Sequence, residues 1–590
     1  MTEATTTRPS SKVGKLPLMH YQVAMPQPQS HLFEVTLRVQ HWSEPLLNLQ
    51  MPVWTPGSYL VREYAKQIQD FAAEGGEKPR PLTWRKLAKN YWQIETAGTS
   101  EITIRYRVFA NELTVRTNHL DASHGYFNSA ALFFFIEGHE KQGIQVKIVP
   151  PYPDWQVSTS LPPVAGETNT FQAVDFDTLV DSPFEIGRQR LYDFEVLGKS
   201  HQLAIWGEGN ADPERIIADT KKIIEVEADL FDGLPYQQYL FLLHLSASGF
   251  GGLEHKDSCT LNYPRFGFRV KEKYNRFMQL VAHEFFHLWN VKRIRPKALE
   301  VFDYNQENYT TSLWFCEGTT SYYDLVMPLR AGIYDTETFL NGLSKEISRF
   351  LLTPGRKVQP LSESSFDAWI KLYRRDANSN NCQISYYLKG EMVSFLLDLL
   401  IRCHHQNKRS LDDVMRRVWE QFGKEEIGYT PEQLKDAIES VAEVDLGEFF
   451  ALYIDGTTEL PFDEYLEPFG LEVKGIEEDE PVPFLGLIVK TENAQEIISF
   501  VEVDSPAAVA GVDSNDQLLA INGIRVTADQ LSDRLKDYNA GDTIELTVFH
   551  QDELRTLPVK LEEPRPSCYE IVQIKNLTNA QKQNYNGWLE

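Results

Sequence analysis

Residues 281–296 read VAHEFFHLWNVKRIRP. His283 and His287 stand four apart in this stretch, with Glu284 directly after the first. On an α-helix, positions i and i+4 share a face one turn apart, so both imidazoles can reach one ion. Glu284 then lies beside them, where a carboxylate can take the proton of a metal-activated water. Phe277, Val281, Glu284 and Leu288 follow the spacing of a buried helical stripe. An ionised glutamate in such a row is costly unless something pairs with it or uses it. That favours a zinc site over two ordinary histidines packed in a core or facing solvent.

A catalytic zinc takes three protein ligands and keeps one position open for water. The metzincin continuation, a glycine and then a third histidine, is excluded because those positions hold Asn290 and Arg293. A carboxylate on a later helix is the alternative, and SLWFCEGTTSYYDL (312–325) supplies Glu317 in an apolar setting. The cations Lys292, Arg293, Arg295 and Lys297 that trail the motif read first as a solvated helix end, where positive charge suits the helix dipole. A pocket wall for a peptide carboxylate is the other reading.

The chain has 590 residues, 42% of them hydrophobic and 24% charged, which is ordinary composition for several domains rather than one core. No apolar run reaches the roughly 18 residues of a membrane span, so no membrane partner is expected. The formal charge of −26 argues against nucleic acid, whose phosphates need a basic face. The N-terminus lacks the apolar core of a secretory signal, and five scattered cysteines fit reduced thiols. The expected location is cytoplasmic.

HLFEVTLRVQ places Phe33, Val35, Leu37 and Val39 on one face, and EITIRYRVF and GIQVKIVPP repeat this period of two. Turn clusters such as WTPGSY separate the runs, which predicts an antiparallel, sandwich-like β domain. From about residue 212 the period changes to that of helices, beginning with DPERIIADTKKIIEVEADLF and interrupted by the apolar strand YLFLLHLSA. Ser410 with Asp413, and Thr430 with Pro431 and Gln433, are predicted helix starts.

HEFFHLWNVKRIRP, WFCEGTTSYY and GFGGLEHKDS together resemble the glycyl aminopeptidase family, as do MPVWTPGSYLVREYAKQI and LYIDGTTELPFDEYLEPFGL. The resemblance covers most of the chain. It implies a gluzincin whose catalytic domain is thermolysin-like, mixed α/β with a helical part, and one Zn2+ ion held by His283, His287 and Glu317. Glu284 would be the general base. Relatives of the aminopeptidase N type carry an oxyanion-stabilising tyrosine in a Tyr-x-Lys-Gly pattern, matched here by Tyr387-Leu388-Lys389-Gly390. Tyr386 stays open beside it, because neighbouring helical residues point about 100° apart. The same relatives bind the substrate's α-ammonium through the glutamate of a Gly-x-Met-Glu-Asn segment. Gly251-Gly252-Leu253-Glu254-His255 aligns with it and assigns substrate binding to Gly252, Glu254 and His255, with Leu253 and His255 as departures from the pattern. Thermolysin-like sites often carry an acid four residues after the ligand glutamate. That position is Ser321, and Asp324, one turn further on, is the residue that would orient a ligand histidine instead.

After the charged GIEEDEPVP, the order of PFLGLIV, VDSPAAVAGVDSNDQLLAINGIRV and a helix over TADQLSDRLKDY is that of a PDZ domain. Leu485-Gly486-Leu487 would form its carboxylate-binding loop, with a C-terminal peptide as ligand; packing on the catalytic domain is the equal alternative. The expected organisation is multidomain α+β. A disordered N-terminus (1–14) precedes an N-terminal antiparallel β-sandwich-like domain (15–195) and the catalytic domain (196–474). A linker (475–483), the PDZ domain (484–563) and a polar tail (564–590) complete the chain. The implied activity removes small N-terminal residues, glycine or alanine, from peptides with a free N-terminus. A zinc endopeptidase is the first rival, and a PDZ adaptor with an inactive peptidase domain the second.

Overall fold

The computed structural model describes residues 18–476 and 480–589. The N-terminal segment expected to be disordered lies outside the described residues, as do 477–479 of the expected linker. Two compact units are present. One holds the chain up to Ile217 with Pro235–Lys273 and Phe302–Glu307; the other holds Ala218–Leu234, Tyr274–Val301 and the chain from Asn308 on.

In the first unit the alternating strands form a seven-stranded sheet, accompanied by two sheets of four. Phe33, Val35, Leu37 and Val39 of strand Leu32–Gln40 are all buried, opposite Ile102, Ile104, Tyr106 and Val108 of Glu101–Phe109. Burial of one such side chain contributes roughly 1.5–3 kcal/mol, so the period-two pattern fixes which face becomes core. One pairing departs from the antiparallel expectation: Leu18–Ala24 runs parallel to Ile144–Val149. The two strands are separated by more than a hundred residues that build other strands, ample for the crossover a parallel pair needs.

The same unit contains a five-stranded sheet in the order Arg190–Val196, Lys199–Trp206, Gln238–Ser246, Ser258–Pro264, Gly251–Glu254. Gln238–Ser246, the apolar run, lies between two parallel neighbours and is buried along nearly its whole length. Gly251–Glu254 is the antiparallel edge strand.

The second unit is mainly helical and also carries the C-terminal sheet. The helix Lys271–Phe286 bears the histidine motif. Both predicted helix starts form, and each is closed by a capping box, Ser410 with Asp413 and Thr430 with Gln433. The cations after the motif are not a solvated helix end: Lys292 and Arg293 are 7% and 4% exposed. The chain folds back at Val291 (φ 147°), and Arg293 Nη1 donates to the Leu288 carbonyl at 2.9 Å, satisfying an acceptor that the helix end leaves open. Lys297 alone behaves as a surface cation, paired with Glu300 at 2.6 Å.

Leu487–Glu492, Gln495–Val501, Gln517–Ile521, Thr543–His550 and Glu553–Lys560 form a sheet around a separate apolar core. The helix expected over TADQLSDRLKDY is only Leu531–Leu535; ahead of it the Gln530 N–H donates to the Thr527 carbonyl at 3.1 Å, so that segment is a turn. The expected polar tail is folded. Cys568–Gln573 pairs with Leu471–Ile476, which takes in the first two linker residues, and helix Asn579–Leu589 buries Trp588 against Phe395 and Phe469. No helix among the described residues is long and apolar enough to cross a membrane.

Candidate active site

His283 and Glu284 lie on the last turn of helix Lys271–Phe286, and His287 follows just past its end, its N–H still donating to the His283 carbonyl at 3.3 Å. Glu317 sits in a π-helical turn, Trp314–Gly318, that runs into helix Thr319–Arg330. Single π-turns of this kind re-aim side chains at functional sites. One ligand atom from each of His283, His287 and Glu317 lies within 4.8 Å of the others. Glu317 Oε2 is 3.2 Å from His287 Nε2 and 3.7 Å from His283 Nε2.

The outer nitrogens of both rings are committed. His283 Nδ1–H donates to Asp324 Oδ2 at 2.9 Å, and His287 Nδ1–H to the Asn290 carbonyl at 2.7 Å. Protonation at Nδ1 leaves the lone pair on each Nε2, the nitrogen turned toward Glu317. Glu317 Oε1 is buried and has no hydrogen-bond partner. Two imidazole lone pairs and one buried carboxylate fit a catalytic zinc donor set.

Asn290, which ruled out the metzincin pattern, has a structural task. Its side-chain amide donates to the carbonyls of Phe315 (2.8 Å) and Cys316 (3.2 Å), tying the end of the histidine motif to the turn that carries Glu317. A second tie joins that turn to helix Tyr386–His405. A Cβ on Gly318 would lie 2.5 Å from the Gly390 backbone, and one on Gly390 2.7 Å from the Trp314 carbonyl oxygen. Only glycine at both positions permits this approach. Tyr387 consequently lies with its ring nearly parallel to that of His283, centroids 6.3 Å apart, and its hydroxyl is 3.3 Å from that of Tyr373. Burial and the neighbouring Glu317 charge push the Tyr387 phenol well above its ordinary pKa, so it remains a donor. Tyr386 is fully buried in the helical core.

Burial alone would raise the Glu317 pKa, but the charges and hydrogen bonds of His287 and His283 hold it at about 2. Burial likewise opposes charge on His283, yet Asp324 and Glu317 raise its pKa well above the usual value in the metal-free chain. Two further acids occupy this region and have no sequence signature. Glu227 is fully buried with neither carboxylate oxygen hydrogen-bonded, and Glu391 is buried on helix Tyr386–His405. Desolvation lifts both well above the ordinary carboxyl range, which favours their neutral form.

Gly252, Glu254 and His255 form a group in the first unit, at the edge of the five-stranded sheet. Glu254 is 3% exposed, and its Oε1 has no hydrogen-bond partner. Gly57, from WTPGSY, presses on it: its φ is +83°, and a Cβ there would lie 2.4 Å and 2.5 Å from the two carboxylate oxygens. In the sequence Gly57 is only part of a turn cluster. The Gly252 carbonyl accepts from Arg116 Nη2 at 3.3 Å, and His255 Nδ1 is 3.4 Å from Asp181 Oδ1. Leu485, Gly486 and Leu487 lie in the C-terminal sheet domain of the second unit. There the Gly486 carbonyl accepts from the Glu502 N–H at 2.8 Å, and Leu487 opens a strand at the sheet edge.

Residues 20–188 match the Peptidase M61 N-terminal domain, 276–393 the M61 glycyl aminopeptidase family, and 483–561 the PDZ domain. Among solved structures, the crystal structure of an aminopeptidase N family protein from Idiomarina loihiensis is 32% identical, with a TM-score of 0.91 over 97% of this chain and 100% of its own. The M1 zinc metallopeptidase from Deinococcus radiodurans is 15% identical, covering 75% of this chain and 94% of its own at a TM-score of 0.47. No curated protein matches the chain.

Proposed function

The chain belongs to the M61 glycyl aminopeptidase family and is a metallo-aminopeptidase, and we propose that one zinc ion, held by His283, His287 and Glu317, serves the removal of small N-terminal residues from peptides. The observation that carries this reading is the commitment of both Nδ1 atoms, to Asp324 and to the Asn290 carbonyl, which leaves both Nε2 atoms for a metal opposite Glu317. Zinc there supplies Lewis acidity toward water and the scissile carbonyl.

The rest of the chemistry belongs to side chains. Glu284, buried in the helical stripe, takes a proton from the attacking water and returns it to the departing amine. The Tyr387 hydroxyl donates to the oxyanion that develops on the carbonyl; its stacking on His283, against the core position of Tyr386, supports Tyr387 for this role. Glu254 accepts the peptide's α-ammonium, with the Gly252 backbone and His255 flanking it. A buried carboxylate with an unused oxygen favours a cationic partner, and a free peptide N-terminus is one. Gly or Ala at that terminus is the preference the family carries.

The edge strand after Leu485-Gly486-Leu487 supports peptide binding at the PDZ domain by strand addition. The scattered cysteines support a cytoplasmic setting.

Hydrolysis of free and N-acetylated glycyl peptides, each with and without a chelator, tests the reading. Rapid, chelator-sensitive release from the free peptides alone is expected. Equal rates on both would turn the assignment to an endopeptidase, and indifference to chelator would remove the metal from it.

A further inference from the structure

The first unit holds a second nest of imidazoles and carboxylates that the peptidase chemistry does not use. It lies where strand His119–Leu120 turns into His124–Phe127. One ligand atom from each of His119, Asp121 and His124 lies within 4.8 Å of the others. His119 Nε2 stands 3.2 Å from Asp121 Oδ2, the same separation as His287 from Glu317. His124 is fully buried, and its Nδ1–H donates to Glu185 Oε1 at 2.9 Å, as His283 does to Asp324. The lone pair is thereby left on His124 Nε2, which is buried without a hydrogen-bond partner. An orphaned buried acceptor is costly and calls for an occupant. His119 likewise keeps a buried Nδ1 without a partner.

The geometry points to a second divalent-cation site, in which His119, Asp121 and His124 bind an ion of the zinc class.

Two imidazoles with one carboxylate suit zinc, cobalt or nickel rather than calcium or magnesium, which prefer all-oxygen shells. The ligands are pre-positioned. Asp121 Oδ1 accepts from the Ser123 N–H (2.7 Å), its hydroxyl (2.6 Å) and the His124 N–H (3.1 Å), which orients the carboxylate. Trp206 stacks on His124 at 3.6 Å and 14°, fixing the ring. Glu185 bridges His124 and His244 at 2.9 Å and 2.8 Å. These two contacts let Glu185 orient the His124 ring. The Asp121 side chain is 36% exposed, which gives an ion a way in. The nest's one buried acid is shared between two histidines, so no carboxylate is left to act as a base. The ion would therefore pin the hairpin to its sheet rather than activate water.

The test uses the full chain, stripped with chelator, re-equilibrated with zinc alone and analysed for metal content. Two equivalents are expected in the wild type, and one in each of His283→Ala and His119→Gln. Cobalt substitution into His283→Ala should then show the absorption of a nitrogen- and oxygen-ligated ion, lost in the double variant. Should His119→Gln fold poorly by circular dichroism, Asp121→Asn, at a more exposed position, replaces it. A single equivalent in the wild type that disappears with His283→Ala and ignores His119→Gln overturns the inference, as does a two-equivalent content that His119→Gln leaves unchanged. A single equivalent lost with His119→Gln but kept by His283→Ala would uphold this site and refute the zinc-peptidase assignment.

Discussion

His283 and His124 are both histidines held at Nδ1 by a carboxylate 2.9 Å away, yet their surroundings differ in how many acids they contain. Around His283 the second unit gathers Glu317, Asp324, Glu284, Glu227 and Glu391, all in or near the same buried region. Five carboxylates crowded in a low dielectric oppose one another's ionisation, and their pKa values spread apart: Glu317 is held at about 2 while burial lifts Glu227 and Glu391 well above the ordinary range. Around His124, one buried carboxylate serves two imidazoles. A surplus of acid creates demand for a cation and leaves a base to spare. A balanced nest can hold an ion but has nothing left to drive chemistry.

That contrast breaks first at Glu284. Glu284→Gln should lower kcat by about 10²–10⁴ while metal analysis still finds the zinc of the His283 cluster. Substantial turnover in this variant would mean that the surplus acid is not the base. The adjacent tyrosines come next. Tyr387→Phe should cost about 10²–10³ in kcat, the range for losing one oxyanion donor, with KM little changed. Tyr386→Phe should leave kcat near wild type, and steady-state kinetics on both variants decides between them.

The balanced nest has its own signature, in stability rather than rate. Glu185 falls from an ordinary carboxyl pKa of 4.5 to about 2 on folding. A depressed carboxylate stabilises above its unfolded pKa, and the contribution fades as pH drops from about 4.5 toward 2. The shift corresponds to about 3 kcal/mol. Urea unfolding of the metal-free wild type and Glu185→Gln should show that gap at pH 7 and a much smaller one near pH 3. A gap independent of pH would mean that Glu185 acts by packing alone.

The two nests were not equally legible in sequence. His283, Glu284 and His287 stand out because helical spacing aligns them and an acid in an apolar row is costly to leave unused. Glu317 follows from the need for a third ligand. His119, Asp121 and His124 lie around a hairpin turn, where spacings of two and three carry no metal signature, and their partner Glu185 is some sixty residues away in sequence. Gly57 looked like any turn glycine, since its contact with Glu254 exists only in three dimensions. Lys292 and Arg293 misled because cations are expected at the surface, and here one of them caps a buried carbonyl. The tail misled because a polar composition concealed the strand CYEIVQ and the anchoring Trp588. The strands Leu32–Gln40, Glu101–Phe109 and Ile144–Val149 were readable, because period two with one buried face leaves little freedom of register. Strands such as His124–Phe127 and Phe184–Gly187, buried on both faces, carry no such alternation.

The smallest expected effect separates orientation from charge at His283. Asp324→Asn can still accept the Nδ1 hydrogen bond through its amide oxygen, but it removes a negative charge that now touches the ring. Loss of such a partner typically costs about 10–100-fold in metal affinity. In the metal-free chain burial opposes a charge on His283, but Asp324 and Glu317 raise its pKa well above the ordinary value. Zinc must therefore displace a proton across the neutral range, and its apparent affinity falls as pH drops through that pKa. With asparagine in place of the aspartate the His283 pKa drops, so protons compete less and the pH dependence flattens. The affinity difference between wild type and variant should thus be widest at high pH and narrow toward acid, which competitive zinc titrations at several pH values can measure. A constant factor at every pH would mean that Asp324 only steadies the ring. In that case the acid surplus would not be what distinguishes this nest from the one at His124.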